Sequence, residues 1–271
     1  MKKFGIVINE IKDPNMKVTE QICSYLESHG AYCVTVKQAQ ELKENVDCIL
    51  VLGGDGTLLQ AAGGICGKDI PMIGVNLGTL GYLAEIELDN LEEALEQLLT
   101  DDYVLDERIM LQGKIVGEEG VRHISPALND VSITRCGSLQ IIHLKISVNG
   151  RFLCRWNADG IIISTPTGST GYNMSAGGPI VEPEAKLIVL TPICAHTLNA
   201  RSIVLKAEDI VEIEIDSGHN GAILQVEANS DGNERISMKT GDKILISKAD
   251  STTKIIKLSK ESFLEILHKK M

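Results

Sequence analysis

The sequence predicts two fold classes in one chain: an N-terminal three-layer α/β unit with a parallel sheet, then an all-β, sandwich-like unit. Three observations predict this. Up to about residue 102, short apolar runs alternate with stretches of helical spacing, as strands joined by crossover helices do. From about Tyr103 the helical period disappears, and short runs with turn residues take over. The final stretch ESFLEILHKK restores the helical period and is expected to return to the α/β unit. The units are therefore drawn at 1–102 with 256–271, and at 103–255.

Taken in order, FGIVINE is an apolar run of strand length, and Val18, Ile22, Tyr25 and Leu26 recur at helical spacing with Gly30 placed as a C-cap. AYCVTV, DCILVL and IPMIGV read as further strands. Asp89 opens an expected capping box with Glu92, and Leu88, Leu91, Leu95 and Leu98 make one helix face. In LKISVNGRFLCRW, Asn149-Gly150 between two apolar runs signals a hairpin. IVEIEID alternates Val211, Ile213 and Ile215 with acids, as a strand with one wet face does, and ILQVEA, KILIS and TKIIKLS follow. Phe263, Ile266 and Leu267 carry the last helix.

Composition narrows the function. Aromatics are 3% against 44% hydrophobic residues overall, so aliphatic side chains fill the core. Lys+Arg 26 against Asp+Glu 37 leaves a formal charge of −11, which disfavours nucleic-acid and anionic-membrane partners. Any phosphate must be held locally. No apolar run reaches the ~18 residues of a membrane span. The MKK start leads into a strand-like run rather than a signal peptide, and a cytoplasmic protein is expected. The seven cysteines form no C-x-x-C pair and are expected as buried thiols.

Three polar glycine clusters carry the chemistry. In CILVLGGDGTLLQAA a buried strand feeds a glycine turn and a helix start, where backbone N–H groups and the helix dipole receive anions. Gly53, Gly54 and Gly56 let the backbone approach closely, but Asp55 would repel phosphate unaided. A carboxylate there serves as acceptor of a hydroxyl proton, as organiser of Mg²⁺, or merely as a cap of the next helix. The second cluster, GVNLGTLGYLAE, places Asn76, Gly78, Thr79 and Gly81 after another strand, at the carboxyl edge where open α/β sheets bind ligands. The third, NADGIIISTPTGSTGYNMSAGGPI, offers Thr165, Thr167, Ser169, Thr170, Tyr172 and Ser175 among glycines, groups that bind ribose, base edges and phosphate without added positive charge.

Look-alikes are set aside on spacing. GGICGKD is one residue short of a Walker A loop and has Asp69 where Ser or Thr is required. TGSTGY is not G-x-S-x-G, and no G-x-G-x-x-G follows the first strand.

Together GGDGT (53–57), NLGTLGYLAE (76–85), ALND (127–130), DGIIISTPTGSTGYNMSAGGPI (159–180) and PICAHTL (192–198) resemble the ATP-dependent NAD kinase family over nearly the whole chain. GGDGT alone is shared with lipid kinases; the STPTGST segment is far more specific. The resemblance implies ATP-driven phosphorylation of the 2′-hydroxyl of the adenosine ribose of NAD, giving NADP, with a divalent metal (Mg²⁺ or Mn²⁺) held largely by the ATP phosphates. Asp55 would accept the hydroxyl proton, with Gly54, Gly56 and Thr57 lining phosphates. Asn129 and Asp130 match an Asn-Glu pair that holds ribose and adenine, Asp130 being one methylene shorter. Asp159, Thr170, Tyr172 and Ser175 match positions around the dinucleotide, and Tyr82 matches an aromatic near the adenine. Gly171 stands for a commoner Ala, with Asn173 beside it; Asn157 stands for a frequent basic residue, and Asn233 in NSDGN for a common Gln.

Asn76, Ser169 and His196 complete the set, although a lone histidine among apolar residues also reads as a hydrogen-bonded core residue. The family further implies a homo-oligomer, dimer or tetramer. Two alternatives stand beside the kinase: a lipid or sugar kinase sharing GGDGT, for which Arg151, Arg155 and Arg201 are too scattered, and a non-catalytic dinucleotide sensor, which would not need Asp55.

Overall fold

The computed structural model describes residues 1–78, 81–137, 140–196, 199–259 and 261–270. The chain folds as two compact units, Met1–Arg108 with Thr252–Met271, and Ile109–Ser251.

In the first unit the sequence runs β1 (Lys3–Val7), α1 (Lys17–Ser28), β2 (Tyr32–Val36), β3 (Cys48–Gly53), α2 (Asp55–Gly64), β4 (Met72–Asn76), β5 (Ala84–Ile86) and α3 (Leu91–Leu99). The strands are parallel in the order β2-β1-β3-β4, with β5 on the far side of β4. Crossover helices enforce this. Ile22 and Leu26 of α1 and Leu91, Ala94, Leu95 and Leu98 of α3 bury against Phe4, Ile6, Leu50, Leu52, Ile73 and Val75. On the other face α2 packs close to β4: a Cβ on Gly74 would lie 3.0 Å from Leu58 Cδ1 and 2.9 Å from the Ala84 backbone. That position has to be glycine.

The helix α3 starts later than its capping signal. A 3₁₀ turn over Leu88–Asn90 precedes it, Asn90 is the N-cap, and no side chain caps the helix. The Asp89–Glu92 box therefore does not form, and Leu88, 46% exposed, lies off the buried face. The turn uses up the residues that would have made the box.

The second unit is all-β. It contains β6 (Val104–Gly117), which enters from the first unit, then β7 (Gly120–Ala127), β8 (Asp130–Arg135), β9 (Ile142–Val148), β10 (Arg151–Ala158) and β11 (Gly160–Ser164). A short helix, α4 (Tyr172–Ser175), and β12 (Leu187–Ile193), β13 (Ile203–Lys206), β14 (Val211–Ile215), β15 (Gln225–Ser230) and β16 (Glu234–Lys239) follow. One antiparallel sheet has the order β13-β12-β11-β8-β15-β16; β10, β9 and β14 form a second ladder, continued by the start of β17 (Lys243–Lys257). Leu144, Ile146, Trp156, Val211 and Ile213 of this ladder pack against Ile133, Ile161, Ile163, Leu190 and Val226 of the first sheet. Asn149 and Gly150, at φ 51° and 74°, make the tight β9–β10 turn that their dipeptide signals.

The end of β17 returns to the first unit, where Ile255 pairs in parallel with Met72, and α5 (Phe263–Lys270) closes the chain. Phe263, Ile266 and Leu267 are its half-buried residues. All seven cysteines are free, and only Cys48 is buried; Cys136 and Cys194 are exposed, against the expectation of buried thiols. Both flank strand ends, where apolar neighbours in sequence do not enclose them.

Candidate active site

In the first unit, loops leave the carboxyl ends of the adjacent strands β1, β3 and β4. Gly53 closes β3, Gly54 is the N-cap of α2, and Asp55 is the first helical residue. Asp55 therefore does not cap the helix, and no side chain does. Its half-buried carboxylate faces the loop after β4 instead, accepting the N–H of Tyr82 at 2.7 Å on Oδ2 and of Leu83 at 3.1 Å on Oδ1. A Cβ on Gly81 would stand 1.9 Å from that Oδ1, so the loop approaches only because residue 81 has no side chain.

Thr57 sits in the first turn of α2, its N–H bonded to the Gly54 carbonyl at 3.0 Å, its Oγ1 receiving Asn9 Nδ2 at 3.3 Å. A Cβ on Gly53 would lie 2.3 Å from the same Oγ1. Gly56 is exposed at the helix start, where first-turn N–H groups and the positive dipole end meet solvent. Asn76 is spent on its own turn: its amide donates to the Gly78 carbonyl and accepts the Gly78 N–H, both at 3.0 Å. Thr79 lies outside the described residues.

The remaining candidates belong to the all-β unit. The carboxyl end of β11, the start of β8 and the end of β15 lie side by side, with Ser164 opposite Asp130 and Ser230 opposite Val131. Asp231, at φ 48°, turns its carboxylate back to accept the N–H groups of Leu128 (2.7 Å), Asn129 (2.9 Å) and Asp130 (3.0 Å). Thr165 completes the frame, its Oγ1 bonded to the Leu128 carbonyl and its N–H to that of Asn129. Gly168 presses on the same segment, since a Cβ there would lie 2.2 Å from the Asn129 carbonyl oxygen. The result is a rigid mount for Asn129, whose buried Oδ1 has no hydrogen-bond partner among the described residues.

Asp130 is 7% exposed, and burial, reinforced by the Asp231 charge, pushes its carboxyl up to about 7. Burial also pushes Asp231 up to about 6, against the three N–H donors that favour its ionised form. Tyr172, 43% exposed, has its phenol raised by burial and then by the Asp130 charge. Asp159 pairs with Arg135 at 3.2 Å.

The polar segment after β11 divides into inward and outward residues. Asn173 is buried and fully engaged: its amide nitrogen donates to the Ser169 and Pro179 carbonyls, and its oxygen accepts Thr191 Oγ1. Ser169 is buried too, exchanging bonds with the Val181 backbone. Thr170 is half-buried, its hydroxyl directed at the Thr167 carbonyl, and Gly171 links the 3₁₀ turn at 167–170 to α4. Tyr172, Ser175, Cys194, His196 and Arg201 line a cavity of about 580 Å³. His196 is exposed there and is not a core histidine; its N–H bonds the carbonyl of the exposed Asn157 at 2.7 Å. Asn233 is exposed in the β15–β16 turn.

Sequence reading missed Lys12, Asn9, Arg135 and the anchoring role of Asp231. Only the last had a signal: Ser-Asp-Gly between strands marks a turn in which Asp adopts positive φ. Among the described residues no group of three His, Cys, Asp or Glu side chains is placed to hold a metal ion.

A carboxylate at a glycine-lined helix start on a parallel sheet, in a chain with a second, all-β unit, fits the class of GGDGT phosphotransferases. Residues 34–103 match the model of the ATP-NAD kinase N-terminal domain, and residues 128–258 that of the ATP-NAD kinase C-terminal domain. NAD kinases of Lachnospira eligens and Agathobacter rectalis are each 45% identical to the whole chain, over 100% and 99% of their own lengths. The chain belongs to the NAD kinase family. Its fold is also that of yeast NADH kinase complexed with NADH (TM-score 0.90, 22% identity, 99% of this chain and 88% of that one). An NAD kinase from Archaeoglobus fulgidus in complex with ATP gives a TM-score of 0.81 at 23% identity, covering 100% and 98%.

Proposed function

We propose that this chain transfers the γ-phosphoryl group of ATP to the 2′-hydroxyl of the adenosine ribose of NAD, with Asp55 as general base. One observation carries the assignment: a half-buried carboxylate stands among glycines at the start of α2 and is fixed by the N–H groups of Tyr82 and Leu83. Two of its roughly four lone-pair positions remain for a substrate hydroxyl. As the 2′-oxygen bonds to the γ-phosphorus, its proton passes to Asp55 and the bond from that phosphorus to the bridging oxygen breaks. The electron pair leaves with ADP, and the products are NADP and ADP. Gly54 and Gly56 supply backbone N–H groups and the helix dipole to the phosphates, with Thr57 lining them in the first turn of α2.

Asn129 and Asp130 hold the adenosine, the unpartnered Asn129 Oδ1 being an acceptor kept for the ligand. Asp159, Tyr172, Ser175 and His196 line the rest of the dinucleotide, with Tyr82, Asn157, Thr170, Gly171 and Asn233 at its margins. Asn76, Ser169 and Asn173 act from behind by fixing loops. A divalent ion, Mg²⁺ or Mn²⁺, would be held largely by the ATP phosphates, where it would screen their charge.

We further propose a cytoplasmic dimer or tetramer. None of the described helices is long and apolar enough to cross a membrane. Phe152 and Leu153, exposed on the edge strand β10, are surfaces that a second copy would cover. Sedimentation of a fully active monomer at nanomolar concentration would contradict self-association. The activity is tested by NADP formation from NAD with ATP, GTP or polyphosphate, each with Mg²⁺ and with Mn²⁺. ATP-dependent NADP formation is expected; its absence under all these conditions would overturn the assignment.

A further inference from the structure

Lys12 occupies the loop after β1, beside the GGDGT turn. Asn9 builds that loop, its Oδ1 accepting the N–H of Ile11 at 3.2 Å and of Lys12 at 3.1 Å, while its Nδ2 reaches Thr57 Oγ1. The turn is thereby tied to the first turn of α2. The Lys12 ammonium stands 3.3 Å from the point where a Cβ on Gly54 would sit, and 3.3 Å from the corresponding point on Gly78. It is held between the two glycine loops, one from the end of β3 and one from the end of β4.

The cation has no ion-pair partner among the described residues, although acids flank it in sequence. Glu10 pairs with Lys37 at 2.9 Å. The Asp13 carboxylate is consumed by the N–H groups of Val18 and Thr19 and by the Thr19 hydroxyl. In a chain of formal charge −11, an exposed ammonium left unneutralised over two glycines is the local cation that a polyphosphate requires.

We propose that Lys12 binds the triphosphate of ATP, its ammonium contacting phosphate oxygens over Gly54 and Gly78. The assignment rests on the ATP-dependent reaction proposed above. A lysine in this role contributes a compact point charge that draws in the anion and balances negative charge building on the phosphates, as the lysines of other phosphate loops do.

The test compares wild type with Lys12→Met and Lys12→Arg in the full chain. Steady-state kinetics are measured with MgATP varied at saturating NAD and with NAD varied at saturating MgATP, and MgATP binding is followed by calorimetry. Lys12→Met should lower kcat/KM for MgATP by about 30-fold or more, leave KM for NAD within about twofold, and weaken MgATP binding. Its melting temperature should be unchanged. Lys12→Arg, which keeps the charge, should recover activity to within about fivefold of wild type. MgATP kinetics and binding of Lys12→Met within twofold of wild type would overturn the proposal, as would an equal loss on the NAD side. If wild type formed no NADP, the functional reading would fail, and the calorimetry would still decide whether Lys12 holds MgATP.

Discussion

Each unit ties a glycine-bearing loop with an aspartate, and the two aspartates differ in what they have left to offer. Asp55 receives two backbone N–H groups and stays half-exposed at the start of a helix. Asp231 receives three, and burial pushes it up beside Asp130, itself pushed to about 7. A carboxylate with lone pairs in reach of solvent can take a proton from a substrate; one buried and bound by three backbone N–H groups is fitted to hold a loop still. Under the proposed function the same local device serves chemistry in the α/β unit and positioning in the β unit.

The largest effect should come from Asp55→Asn, which keeps size and one of the two N–H acceptances but removes basicity. Turnover is expected to fall about 10²-fold or more, as loss of a general base does. Recovery at high Mg²⁺ in steady-state assays would instead assign the residue to metal organisation. Gly81→Ala should come next, because its Cβ would collide with the Asp55 carboxylate at 1.9 Å. Displacing that oxygen should cost about tenfold or more in turnover, with circular dichroism unchanged.

In the β unit, Asp231→Ala should act on stability. It strands three N–H groups, and urea unfolding should report a loss of about 2 kcal/mol or more.

The smallest effect concerns pH. The folded chain raises Asp130 to about 7, so it binds that proton more tightly than the unfolded chain does. The resulting stability is complete below the ordinary carboxylate value of about 3.9 and is lost as pH rises through about 7. Asp130→Asn escapes this loss. Its melting temperature relative to wild type should therefore be higher at pH 8 than at pH 5, each kcal/mol appearing as about 2–4 °C. An equal difference at both pH values would remove Asp130 as the titrating group.

The two units were unequally legible. Strands β1 to β4 and helix α1 announce themselves because crossover strands are continuous apolar runs and their helices keep one apolar stripe. The Asp55 loop was legible because glycines around one acid at a strand–helix junction have few other uses. Its partners were not: nothing in INEIKD says that Asn9 reaches Thr57 or that Lys12 lies over Gly54 and Gly78, since those contacts join loops from different strands. The Asp89–Glu92 box failed for a local reason, a 3₁₀ turn that shifts the helix start. In the β unit, hydroxyls and amides look alike in sequence whether they face ligand or protein. Asn173 and Ser169 turn inward to their own backbone, while His196, for which a core position is the favoured reading from sequence, faces a cavity.

If the two aspartates divide catalysis from binding, equilibrium NAD binding to Asp55→Asn and Asp231→Ala, measured side by side, separates them. The dissociation constant should stay within about twofold of wild type for Asp55→Asn, despite its lost turnover. For Asp231→Ala it should rise about tenfold, the equivalent of about 1.4 kcal/mol. Weakened NAD binding in Asp55→Asn with unchanged binding in Asp231→Ala would contradict that division.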